Sequence, residues 1–214
     1  MKSTMQKTMK FWDGIAERYA KSPVKDTDAY AYTLERTASY LGADDRVLEL
    51  GCGTGTTALH LAPGTGAYTA TDLSPNMIAV ATRKERDTPV EGLAFRAATL
   101  DAIDDGPYDA VLAFNLIHLL TDPDESLAQV HALLKPGGTF ISKTPCRPSG
   151  RMPLTLGAML MVMPLLQLLG RAPYVRFEHI SELEDKIARA GFKVIETGNY
   201  PASPPNHFVV AKKL

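Results

Sequence analysis

A surplus of either charge is missing from this chain. Its 23 lysines and arginines meet 24 acidic residues, a net charge of −1 over 214 residues. That balance leaves no basic field to draw the protein to nucleic acid or anionic lipid. Cysteine is scarce too: Cys52 and Cys146 stand in unrelated contexts, which argues against a disulfide framework or a CxxC metal site. The opening "MKSTMQKTMKFWDG" has lysines but no apolar run behind them, so no secretory signal is read there. A reduced, cytoplasmic setting is the expectation. The five histidines show neither metal-ligand spacing nor a serine–histidine–acid arrangement. No internal repeat is visible.

What is present is ordinary soluble composition, 45% apolar and 22% charged, in a chain long enough for one α/β domain and tight for two. Patterning alternates strands with helices. "FWDGIAERYA" and "DAYAYTLERTASYL" read as amphipathic helices ahead of strand "RVLEL", helix "TTALHLA", strand "AYTATD" and helix "SPNMIAVATRKERD". Ser74 followed by Pro75 starts that helix well, a capping hydroxyl and then a proline where a missing N–H does no harm. Strands "LAFRAA", "YDAVLAFN" and "GTFISKT" follow, with helix "DPDESLAQVHALL" before the last of them. Helix "SELEDKIARA" stops at Gly191, and strands "FKVIETG" and "HFVVAKKL" finish as a hairpin-like pair at one edge. The alternation demands a doubly wound, mostly parallel sheet of seven strands with an antiparallel C-terminal strand and helices on both faces. The expected divisions are N-terminal helices over 1–42, a ligand-binding core over 43–145, an apolar insert over 146–179, and a helix with a strand pair over 180–214.

The stretch "VLELGCGTGTT", Val47 to Thr57, runs from a strand into three close glycines. Counted from Gly51, a GxGxxG pattern fails at Thr56; from Gly53 a relaxed GxGxxA runs to Ala58, with Asp72 nineteen residues on. Glu49 discriminates. A pyrophosphate needs N–H donors here, and a carboxylate a few Å away would repel it by roughly one kcal/mol or more. A ligand bearing an ammonium and a sulfonium would be attracted instead. The plainer alternative is a strand-end glutamate facing solvent.

"VLELGCGTG" resembles the first motif of the class I S-adenosylmethionine-dependent methyltransferases, and "TATDLSPNMI" resembles the segment after their second strand. "LLKPGGTFIS", "ELEDKIARAGFKVIE" and "FWDGIAERYA" are similar to further family segments, in the family's order. The resemblance implies S-adenosyl-L-methionine as cofactor. It implies that Gly51, Cys52, Gly53 and Gly55 close on the methionine part, that Glu49 faces the ammonium, and that Asp72, followed by Leu73, accepts the ribose hydroxyls. Met77 would pack on adenine, with a core role as the alternative, and Tyr19 would lie near the cofactor or serve as an interfacial core tyrosine. Asp72 has an Asx-turn alternative. The family's acidic residue after the third strand is displaced: Thr99 stands there, then Leu100, with Asp101 two residues later.

Methyl transfer is an in-line displacement, so alignment supplies much of the rate and a base matters only where the nucleophile must lose a proton. Asn115 and His118, beyond the fourth strand in "AFNLIHLL", would face the crevice. His118 at its ordinary pKa near 6.5 would accept a proton, or else it is a packed, helix-start histidine. His179 and Tyr174 in "APYVRFEHI" are weaker catalytic candidates. Nucleic acid is not an expected partner: "NLIH" differs from the Asn/Asp-Pro-Pro-aromatic motif, and no basic patch carries interleaved aromatics.

From Met152 to Gly170 there is no charge. That length suits a membrane span, but the strands beyond must rejoin the same sheet, and Pro153, Gly157 and Pro164 break a single helix. The run 152–170 reads as a lid over an apolar acceptor, with a homodimer interface or a weak membrane-surface contact as alternatives. The function expected is methyl transfer to a small, rather hydrophobic molecule through O, N or S. A cofactor-binding module without catalysis is the alternative. A nicotinamide-dependent reductase comes third, since no tyrosine has a lysine four residues on.

Overall fold

The computed structural model describes residues 2–148, 161–163, 165–167 and 171–214. Helices α1 (Lys2–Ala20) and α2 (Thr27–Ala38) precede β1 (Arg46–Leu50), α3 (Thr56–Leu61), β2 (Ala67–Asp72), α4 (Pro75–Asp87) and β3 (Leu93–Ala97). Then come β4 (Tyr108–Phe114), a 3-10 turn at Ile117–Leu119, α5 (Pro123–Leu133), β5 (Leu134–Pro145), α6 (Ile180–Arg189), β6 (Phe192–Asn199) and β7 (Asn206–Lys213). The apolar run 152–170 lies outside the described residues except for helical turns at 161–163 and 165–167. Among the described residues no helix is long and apolar enough to cross a membrane.

The seven strands lie in the order β3-β2-β1-β4-β5-β7-β6. Five pair in parallel, and β7 runs antiparallel to both β5 and β6. The mostly parallel, doubly wound sheet expected from the alternation is therefore present. The final strand does not take the edge: β7 slots between β5 and β6, which leaves β6 outermost. Composition explains the choice. Phe208, Val209, Val210 and Ala211 are all buried, as a strand covered on both faces requires, whereas β6 alternates exposed Lys193, Ile195 and Thr197 with buried or half-buried residues.

Period-two alternation divides the core into two layers. Val47, Ala70, Leu112 and Ile141 face Leu34 of α2, Ala58 and Leu61 of α3 and Ile78 of α4. Leu48, Val111, Phe140 and Val209 face Leu127 and Val130 of α5 and Leu183 and Ile187 of α6. Helix starts are capped by their own side chains: Asp26, Ser74 and Asp122 each accept a backbone N–H three residues on. Gly191 takes φ +93° just after α6, the left-handed conformation that ends a helix. α1 begins nine residues earlier than the apolar periodicity implies, because Met, Gln and Lys favour helix without marking a buried face.

Phe140 is fully buried with its ring centroid 5.3 Å from that of Phe192. Phe140→Ala should lower unfolding free energy by about 3–5 kcal/mol in urea titrations followed by circular dichroism.

Candidate active site

Strand order reverses between β1 and β4, since the chain fills β2 and β3 on one side before returning to β4 on the other. Such a reversal parts the connecting segments and opens a crevice at the carboxyl ends of the strands. The glycine loop leaves β1 on one side of that crevice, and Asn115 to His118 leave β4 on the other.

Gly53 and Gly55 have φ of +54° and +75°. A Cβ on Gly55 would stand 2.7 Å from both Ala81 Cβ and Phe95 Cζ, so glycine here lets α3 start against α4 and β3. A Cβ on Gly53 would meet only Tyr19 Cε1 at 3.9 Å; its open side faces the α1 tyrosine. Gly51 turns beside Leu116. Cys52 is buried, and its N–H donates to the Thr71 carbonyl at 2.9 Å. From α4, Lys84 donates to the Thr54 and Thr56 hydroxyls at 3.1 and 3.0 Å and ties the loop down.

Glu49 does not face solvent: it is 2% exposed. The Tyr68 hydroxyl donates to Glu49 Oε2 at 2.8 Å. Burial pushes the carboxyl up to about 7; the Tyr68 bond opposes the shift and the charge of Asp72 adds to it. Asp72 accepts the Gly53 N–H on Oδ2 at 2.9 Å and the Ser74 N–H on Oδ1 at 2.8 Å. Those bonds orient the carboxylate and leave each oxygen a further acceptor position. Burial raises Asp72 against these two donors, and Asp13 on α1 adds to the rise. Asp13 accepts from Ser74 Oγ at 2.5 Å and from the Asn76 N–H at 3.1 Å, so α1 is fastened to the start of α4. Two carboxylates at adjacent strand ends make an acidic floor suited to a cationic ligand.

The other expected positions divide. Leu73, Thr99 and Leu100 are half-buried beside Asp72, where the Ala98 N–H donates to the Asp72 carbonyl at 3.0 Å. Asp101 is exposed. Met77 is buried between α4 and α1 with Ala16 and Val80; a ligand would reach it only with α1 moved aside. Asn115 holds φ +53°, outside the usual range for a side-chain-bearing residue. Its Oδ1 accepts from Asn206 Nδ2 at 3.2 Å, joining the β4 end to the start of β7.

His118 sits in the 3-10 turn after β4 with its ring stacked on Phe177, centroids 5.8 Å apart. Burial pulls its pKa down to about 4, so the ring is neutral rather than poised near 6.5. It borders a small pocket with Ile117, Thr144, Cys146, Arg176 and Glu178. Tyr174 is half-buried in the segment before α6, and His179 is exposed at the helix start, its N–H donating to Glu182 at 2.9 Å. Sequence reasoning passed over Tyr68, Thr144 and Glu178. Tyr68 was findable, because it lies two residues before Ala70, which pairs with Glu49, and so shares that face. Nothing in the local sequence marks Thr144 and Glu178, which the fold brings together from β5 and from the end of the insert.

A carboxyl whose folded pKa exceeds its unfolded value stabilises the fold fully below the unfolded value, and that contribution fades as pH rises through the folded one. For Glu49 the window runs from 4.5 to about 7. Wild-type stability relative to Glu49→Gln should therefore fall as pH rises from 4.5 to about 7 in a urea-denaturation series. A flat difference would show that burial does not hold Glu49 protonated.

Comparisons with known proteins agree with this geometry. Residues 48–140 match a family model described as a methyltransferase domain. The highly reducing polyketide synthase lcsB of Purpureocillium lilacinum is 36% identical over 151 residues, covering 63% of this chain and 6% of that protein. The chain thus spans only a small fraction of the curated relatives it matches. Among solved structures, the DhpI–SAH complex superposes with TM-score 0.74 at 21% identity, covering 100% of this chain and 98% of that one. Magnesium protoporphyrin IX methyltransferase (ChlM) from Synechocystis PCC 6803 with bound SAM gives 0.73 at 13% identity, covering 99% and 97%. At those identities the likeness is one of fold. Residues 48–140 thus match a methyltransferase domain, and they are set on a fold shared with solved S-adenosylmethionine-dependent methyltransferases.

Proposed function

We propose that the protein transfers a methyl group from S-adenosylmethionine to a small, largely apolar acceptor. The observation that carries this reading is the pair of carboxylates, buried Glu49 and half-buried Asp72, on the two sides of a glycine loop at the strand-order reversal. When bound, the cofactor supplies an electrophilic methyl group on a sulfonium. The residues fit it: Glu49 lies where an ammonium would offset its charge, Asp72 has acceptor positions left for ribose hydroxyls, and the open side of Gly53 admits the chain between them. The ring of Tyr19 on α1 stands 3.9 Å from where a Cβ on Gly53 would lie, at the border of that opening. A dinucleotide suits the site poorly, since its pyrophosphate would stand against Glu49.

The apolar character of the acceptor rests on the run 152–170, which has no charged residue, and on Met161 and Leu165, exposed at 83% and 57%. We read this run as the wall of the acceptor site. Leu165→Asp should weaken turnover of an apolar acceptor while leaving S-adenosylhomocysteine affinity unchanged, as kinetics and calorimetry would show. Equal loss of both would assign the run to folding or dimerisation.

Binding of an ammonium beside Glu49 favours its ionised form, so binding and deprotonation are linked. Calorimetric titration with S-adenosylhomocysteine near pH 6, in buffers of different ionisation enthalpy, should report release of about one proton. Glu49→Gln should abolish that release, and Asp72→Ala should weaken binding by about tenfold or more, the effect of losing hydrogen bonds to a charged group. Binding of NAD or NADP in its place would overturn the proposal.

A further inference from the structure

Lys143 is a buried cation without a counter-ion. It lies in β5 at 7% exposure, and its Nζ donates to Thr33 Oγ1 of α2 at 3.2 Å. The Thr33 hydroxyl itself donates to the Ala29 and Tyr30 carbonyls, each at 2.9 Å, so toward Lys143 it is an acceptor. One neutral oxygen therefore serves an ammonium that carries three N–H bonds. All 24 acidic residues of the chain are among the described residues, and none of them pairs with Lys143. The charge that favours its ammonium comes from Asp26 at the start of α2, which is occupied with the Ala29 N–H. Burial outweighs that help and pulls the amine down to about 8.

The place of this lysine gives it a role. Lys143 stands between Phe114, the last residue of β4, and Phe208 of β7. Its carbonyl accepts the N–H of Asn115 at 2.7 Å. It is thus at the crevice, two strands from the end of β1, or about 10 Å at ordinary strand spacing. Glu49 pairs with Leu112, two residues before Phe114, so Lys143 shares the sheet face of Glu49 and stands one pleat nearer the crevice. Asn206, two residues before Phe208, is a diagonal neighbour of Lys143 on that face. One end of its amide is buried without a partner. An amide has an acceptor at one end and a donor at the other, so Asn206 asks for a polar group without choosing its sign. Lys143 chooses it.

The crevice is acidic where β1 and β2 end and cationic where β5 ends. A cofactor with an ammonium and a sulfonium suits the first. We propose that Lys143, with Asn206 beside it, binds a carboxylate of the acceptor, so that the substrate is an apolar acid rather than a neutral molecule. This inference rests on the methyltransferase reading above and narrows its acceptor class. One amine supplies one charge, which matches a carboxylate; a phosphate dianion would call for more donors. With one N–H on Thr33, two remain for the carboxylate oxygens. An ion pair fixed at one end of the acceptor orients the rest of the molecule within the crevice.

The test titrates S-adenosylhomocysteine-saturated protein with biphenyl-4-carboxylate and with its neutral amide, by calorimetry. Near neutral pH the carboxylate should bind about tenfold more tightly, the effect of one charge-assisted pair. Raising the pH to about 9.5, where Lys143 is neutral, should remove most of that preference. Of the groups packed against Lys143, Asp26 carries the charge, while Thr33, Phe114 and Phe208 do not titrate. Lys143→Met should abolish the preference with S-adenosylhomocysteine affinity unchanged. Carbon NMR of the lysine Cε in wild-type protein gives a measure that needs no variant: the carboxylate should raise the Lys143 pKa by about one unit, the counterpart of tenfold tighter binding. Equal binding of acid and amide, a preference that survives Lys143→Met, an unmoved Lys143 titration, or no binding of either probe would overturn the inference. Each of these leaves the cofactor reading standing. Failure to bind S-adenosylhomocysteine at all would remove that reading and this inference with it.

Discussion

A carboxylate sealed at the end of the central strand constrains everything around it. Glu49 sits in β1, the middle of the parallel part of the sheet, where neighbouring strands and two helices exclude water. One hydroxyl, from Tyr68, is its partner in the structure. A single neutral donor does not offset the loss of hydration of a full charge, and the raised pKa records the shortfall. Asp72 on the next strand adds to it. The fold thus holds two acidic groups closer and drier than either would choose, a state that a cation in the crevice relieves. Strain of this kind marks a binding site more firmly than a glycine pattern does.

The surroundings serve to keep that arrangement in register. Gly55 lets α3 begin hard against α4, Lys84 ties the loop through two threonine hydroxyls, and Asp13 fastens α1 to the first turn of α4. Each contact joins segments that lie well apart in the chain. Precision at the crevice then comes from the packing of rigid pieces rather than from the loop itself. The same logic holds across the sheet, where the charge cluster of Arg176, Glu178, Lys186 and Asp124 anchors the segment leaving the insert onto α5 and α6. That anchoring places Glu178 at the pocket of His118.

Much of this was legible from the chain alone. Strand "RVLEL" and strand "AYTATD" coincide with β1 and β2 to the residue, because apolar runs bounded by turn signals leave little choice of period. The capping role of Ser74 and the helix stop at Gly191 followed from local stereochemistry, which neighbours seldom override. Asp72 and the glycines were visible for the same reason: their conformations are set within a few residues. His118 was visible as a position but not as a chemical state, since its pKa depends on what covers it.

The sequence by itself determined the alternation of elements, the glycine loop and the acidic partners at the strand ends, all of them encoded by residues near one another in the chain. Only the tertiary structure decided which strand would be outermost, that Tyr68 would hold Glu49, and that His118, Thr144 and Glu178 would meet. Those outcomes depend on contacts between segments separated by tens of residues, and on the desolvation such contacts impose. Neither spacing nor composition carries that information, because burial is a property of the assembled chain.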